Sequence, residues 1–100
     1  MDRRVPEPAT VWIFHGDGAR FAGGVFTTEA SAREWISGNR LNGVLTEYPL
    51  DVGVFHWAIR EGLTNMKPET LAAKRDDPRF IGGFTTASQR HVHFVDGSAN

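Results

Sequence analysis

The segment Thr10-Val11-Trp12-Ile13-Phe14-His15 constrains the fold most, because an unbroken β-branched and aromatic run commits it to a strand. Gly16-Asp17-Gly18 ends that run, and Asp-Gly supplies the positive φ angles of a tight turn. The chain is therefore expected to turn back into a second strand over 21–26. Gly23-Gly24 within it marks a bulge or a close backbone approach. An antiparallel sheet is the framework this opening implies.

Helical signals follow. Thr27 or Thr28 can cap a helix that carries Glu29 in its first turn. Ala32, Trp35 and Ile36 then fall on one stripe, Glu29 and Arg33 are spaced to pair, and Gly38-Asn39 ends the helix. Val44 to Tyr48 reads as a strand closed by Pro49, which has no N–H for the ladder. Asp51 is placed to cap a second helix from Val52 to about Glu61, with Val54, Phe55, Trp57, Ala58 and Ile59 on its apolar face. His56 and Arg60 fall opposite.

Residues 63–78 carry two readings, two helical turns over 68–74 or a loop. Asp77-Pro78 has the pattern of a cap followed by a first-turn proline, which predicts a short helix over 79–85. Phe80 and Phe84, four apart, favour it, and Gly82-Gly83 opposes it. The last strand, Gln89 to Val95, places Val92 and Phe94 on one face and Gln89, His91, His93 and Val95 on the other.

These elements predict an α+β fold, a two-layer sandwich with a mainly antiparallel sheet of about four strands and two to three helices on one face. Residues 1–9 read as a tail, 10–96 as one domain and 97–100 as a second tail. The expected core is Trp12 or Ile13, with Phe26, Trp35, Ile36, Leu45, Val54, Trp57, Ala58, Val92 and Phe94.

Composition closes several function classes. The chain has 100 residues, 11 Lys+Arg against 12 Asp+Glu, and a formal net charge of -1. No basic field is present to neutralise phosphates, so nucleic acid is not an expected partner. The longest apolar run, Val11 to Phe14, is far too short to span a membrane or serve a signal peptide. With no cysteine there is no disulfide and no thiolate metal site, which suits the cytoplasm.

The motifs are sparse. His15-Gly16-Asp17-Gly18 after an apolar strand looks like the oxyanion-hole segment of lipases and esterases, but none of Ser31, Ser37, Ser88 and Ser98 lies in the G-x-S-x-G elbow that chemistry needs. Gly16, Gly18, Gly23 and Gly24 do not match phosphate-cradling spacings. His91-Val92-His93 is the most informative local pattern, since strand residues i and i+2 share a face and both rings can reach one ion or partner. A metal site needs a third and usually a fourth ligand, such as His15 or Asp17, so no metal site and no cofactor are expected. His15, Asp17, His91 and His93 are the candidates for acid–base chemistry.

The run from Gly43 to Ile59 has the form G-V-L-T-x-Y-P-L-D-x-G-V-x-x-W-A-I. With Val11-Trp12-Ile13-Phe14-His15-Gly16, Gly24-Val25-Phe26, Phe80-Ile81-Gly82 and His91-x-His93, it resembles a family of small uncharacterised bacterial proteins, a domain of unknown function. The resemblance covers about residues 11 to 96. It implies a bacterial, stand-alone, single-domain protein and brings no catalytic residue with it.

A sheet covered by helices on one side leaves an apolar strip on the other. Trp12 or Ile13, with Tyr48, Val95 and the flanking His91 and His93, is the expected strip and the expected partner-binding surface. The leading expectation is a non-enzymatic interaction module of inhibitor or immunity type, binding another protein or pairing as a homodimer. The alternative is a small enzyme or metal-binding protein using His15, His91 and His93. Convergence of those three rings in a concave pocket would favour the alternative.

Overall fold

The structure is a computed structural model that describes residues 9–100. The tail expected over 1–9 lies outside the described residues, apart from Ala9. In chain order the elements are strand β1 (Thr10–Gly16), strand β2 (Gly24–Phe26), helix α1 (Glu29–Gly38), strand β3 (Gly43–Pro49), helices α2 (Val54–Arg60), α3 (Pro68–Lys74) and α4 (Pro78–Gly82), and strands β4 (His91–Val95) and β5 (Ser98–Ala99). The strands form one sheet in the order β2-β1-β3-β4-β5, and every neighbouring pair is antiparallel. The fold is α+β. The sheet has five strands rather than about four.

The core follows from period-2 alternation meeting a helical stripe. Trp12 and Phe14 of β1, Leu45 of β3 and Phe94 of β4 point to the same face and pack with Ala32 and Ile36 of α1. Trp35 adds an edge-to-face contact with Phe14 at 5.6 Å between centroids. Of the two threonines that could cap α1, Thr28 does so, its hydroxyl oxygen accepting from the Ser31 N–H at 3.1 Å. The Arg33–Glu29 pair also forms, at 2.8 Å. Gly43 is required where β3 passes under Phe14, because a Cβ there would lie 2.7 Å from that ring's tip and 2.9 Å from the Cα of Gly16.

Turn chemistry accounts for the differences from expectation. Only Gly18 has a positive φ (74°) in the first turn, so the chain leaves β1 through a longer loop and pairs again only at Gly24. Phe21, expected at the head of the second strand, is exposed. The two-residue hairpin sits instead at Asp96-Gly97, where both φ angles are positive (51° and 83°) as a type I′ turn demands. It joins Val95 to Ser98, so residues 97–100 carry β5 rather than forming a tail.

Asp51 is not a helix cap: its φ is 64°, which turns the chain after Pro49, and Gly53 takes the N-cap position without a side-chain hydrogen bond. The cap expected at Asp77 does form, its carboxylate accepting from the N–H groups of Arg79 and Phe80, and α4 then stops at Gly82. β3 and β4 are neighbours in the sheet, yet residues 50–90 lie between them. That connection contains α2, α3 and α4 and has its own aromatic centre. Phe55 is fully buried there, with edge-to-face contacts to Phe80 at 5.8 Å and Phe84 at 5.4 Å. Ala58 is fully buried, whereas Val54 and Trp57 are only partly so. The helix layer on the sheet's core is α1.

Candidate functional site

The face of the sheet opposite α1 is the candidate site, and strand alternation determines its membership. Val11, Ile13 and His15 of β1, Val44, Thr46 and Tyr48 of β3, and His91, His93 and Val95 of β4 have the opposite parity to the core residues. Val25 of β2 joins them. The register orders these side chains in rows across the sheet: Val25, Ile13, Thr46 and His91 form one, and His15, Val44 and His93 form the next. Val11 and Tyr48 pair beyond the first row. Val25 is 64% exposed and Val95 50% exposed, so the face is open to water at both sides.

None of these residues carries a formal charge; among the described residues of this face there is no Asp, Glu, Lys or Arg. That is unusual for a solvent-facing sheet, which normally alternates apolar-in with polar or charged-out. An open depression of about 340 Å³ on this face is lined by Val44, Thr46, Tyr48, His91 and His93, together with Gln89 and residues 85–87. The end of the 50–90 connection therefore flanks the bare face without covering it.

The expected site residues sort clearly. Tyr48, His91, His93 and Val95 lie on the bare face. Trp12 does not. It is 4% exposed and points into the core beside Phe14, while Arg90 lies over its ring at 5.1 Å. Ile13, the alternative weighed for that place, faces out with Val11 and His15. Sequence reasoning missed Val25, Val44 and Thr46, because their places in the rows depend on strand register, which is nonlocal.

The histidines are partly brought together. His91 and His93 lie side by side with ring centroids 5.7 Å apart and planes nearly perpendicular. The Nδ1–H of His91 donates to the Gln89 carbonyl at 2.7 Å. Gln89 is buried, its amide donating to the Glu47 carbonyl and its side-chain oxygen accepting from the Thr86 N–H. His15 shares the face but is separated from His93 by Val44, roughly 10 Å at two interstrand spacings. Its Nε2–H donates to the Ala19 carbonyl in the loop. Asp17 belongs to the turn after β1. Among the described residues no three His, Asp or Glu side chains group in a way that could hold a metal ion.

Opposite the bare face, at the end of β3, Glu47 joins several elements. Its carboxylate accepts from Arg90 at 2.8 Å and from the Thr10 hydroxyl at 2.6 Å. The Arg90 hydrogen bond holds the Glu47 carboxyl below the usual carboxylate range, and the Thr10 hydroxyl lowers it further against the opposing cost of burial. This group steadies the core and leaves no reactive atom free.

A small α+β domain with one helix-covered sheet face and one bare, uncharged face is the class these observations define. A family model described as a domain of unknown function (DUF7710) matches residues 11–100, and the chain belongs to that family. No curated protein and no solved structure matches the chain. Among the described residues no helix is long and apolar enough to cross a membrane.

Proposed function

We propose that this domain is a non-enzymatic binding module that uses the bare face of its sheet to contact protein, and that its occupant is a second copy of the chain. The observation that carries this reading is the lack of formal charge across that face. Charged residues are depleted at the centres of protein interfaces, where tyrosine is enriched, and Tyr48 lies on this face. An uncharged surface also meets its own copy across a two-fold axis without like-charge repulsion. Edge-to-edge pairing is disfavoured, since β2 has three residues and β5 two. Face-to-face packing is the route left open. An inhibitor or immunity-type role is the finer form of the reading, with a different protein taking the place of the second copy. Bacterial cytoplasm is the setting we propose for it, in keeping with a chain that has no cysteine.

Sedimentation at neutral pH tests this reading. A dimer is expected at tens of micromolar. Val95→Asp, at an exposed position, is expected to give a monomer. The reading is overturned by a chain that stays monomeric and binds no host protein in a manner sensitive to Val95→Asp. An enzyme using His15, His91 and His93 has less support, because Val44 separates the first ring from the other two.

A further inference from the structure

We infer that His91 and His93 form a chelating site for one exchangeable divalent transition-metal ion of the copper(II)–zinc(II) class. The inference concerns the unpaired chain, so its test is run below the concentration at which the chain self-associates. It starts from the strand: positions i and i+2 of β4 present both rings on one face, with centroids 5.7 Å apart. A carbonyl can only accept, so the bond from His91 to the Gln89 oxygen places the ring proton on Nδ1 and leaves the Nε2 lone pair free.

An imidazole whose other nitrogen donates to a carbonyl is the usual arrangement behind a metal-bound histidine, since it settles tautomer and orientation before the ion arrives. Here that carbonyl belongs to a residue held rigidly. Gln89 is 3% exposed and tied through its side chain to Glu47 and Thr86, so the anchor does not depend on a loose loop. His93 sits beside it, exposed and able to rotate towards the same ion.

The surroundings select the ion. The depression around the pair is lined by Val44, Thr46, Tyr48, Gln89 and small residues, and the neighbouring Arg90 guanidinium is paired with Glu47. The depression offers no carboxylate to favour calcium or magnesium and no thiolate to favour soft ions. Imidazole nitrogens alone suit copper(II), nickel(II) and zinc(II), and the general affinity order places copper(II) first. Two protein ligands leave the remaining positions to water. The site is thus expected to be weak and exchangeable, distinct from the closed structural sites that use four protein ligands.

Calorimetric titration of the tag-free chain with copper(II), and separately with zinc(II), at about pH 7.5 tests the site. One ion per chain is expected, copper(II) binding more tightly than zinc(II). His91→Ala and His93→Ala should each weaken binding at least about tenfold. His56→Ala, on the surface of α2, should leave it unchanged. Both ligand histidines are exposed, so their variants keep the fold, and circular dichroism verifies this. The inference is overturned if the wild-type chain binds neither ion at about 100 μM, or if His91→Ala combined with His93→Ala binds as the wild type does.

Discussion

The sheet with α1 and the connection over 50–90 use similar residue types but are held together differently. In the first, Trp12, Phe14, Leu45 and Phe94 come from three strands and close on Ala32 and Ile36 of one helix, all within a continuous core. In the second, Phe55 is the centre, the two phenylalanines against it come from α4 and the residues just after it, and neither α3 nor α4 buries a residue completely. Among the described residues the buried indole N–H of Trp57 has no hydrogen-bond partner, which in a dry core would cost about 1–3 kcal/mol. Residues distant in sequence thus hold the sheet. The connection is built on one aromatic cluster and is expected to open at lower free energy.

The largest effect that can break this comparison is Gly43→Val. The β3 backbone at Gly43 lies beneath the Phe14 ring and against Gly16, so a branched side chain there must push two strands apart. Overpacking of this kind costs about 3 kcal/mol or more, enough to leave a small domain largely unfolded on warming. The expected result is loss of a cooperative thermal transition by circular dichroism. A melting temperature within a few degrees of wild type would show that this close approach does not hold the core together.

Phe55→Ala is next. Truncating a fully buried phenylalanine costs about 3–5 kcal/mol in a well-packed core, but here the loss should be confined to one region. Hydrogen exchange should show α2, α3 and α4 losing protection while β1, β3 and α1 retain theirs. Uniform loss across both regions would mean that they unfold as one unit, and the comparison would fail.

What could be read from sequence follows the same division. β1, the Thr28 cap and the Asp77-Pro78 start of α4 were legible because local chemistry decides them. Asp17-Gly18 and Asp96-Gly97 carry the same dipeptide, yet only the second closes a two-residue hairpin. Local sequence does not distinguish them, since the difference lies in which strands are there to pair. The same holds for Trp12 against Ile13. Alternation says that one faces outward, and the choice depends on α1 lying over Trp12 and Phe14. The candidate face was legible in part on β4, where parity alone groups His91, His93 and Val95. Its remaining members, and the burial of Gln89 that fixes the His91 ring, depend on contacts between residues far apart in the chain.

The smallest effect sharpens the comparison at the point where the two regions meet. Arg90 is the last residue of the connection and Glu47 belongs to β3, so their 2.8 Å pair links one region to the other. The Arg90 guanidinium is largely in water, which keeps the gain small. Its pH dependence is nevertheless distinctive. The folded carboxyl of Glu47 is held below its ordinary value, chiefly by the Arg90 hydrogen bond, so the folded state releases this proton more readily than the unfolded chain. The stabilisation is fully present above the ordinary glutamate range, about pH 4.3, and is lost as pH falls through the lowered folded value. Glu47→Gln keeps the shape and removes the charge. It should lower the melting temperature by a few degrees at neutral pH, and the gap to wild type should narrow as pH falls below the ordinary glutamate range and the wild-type carboxyl takes up its proton. Thermal melts of both chains across that interval decide it. A gap of the same size at both ends would show that shape, and not the Arg90 charge, is what Glu47 contributes at this junction.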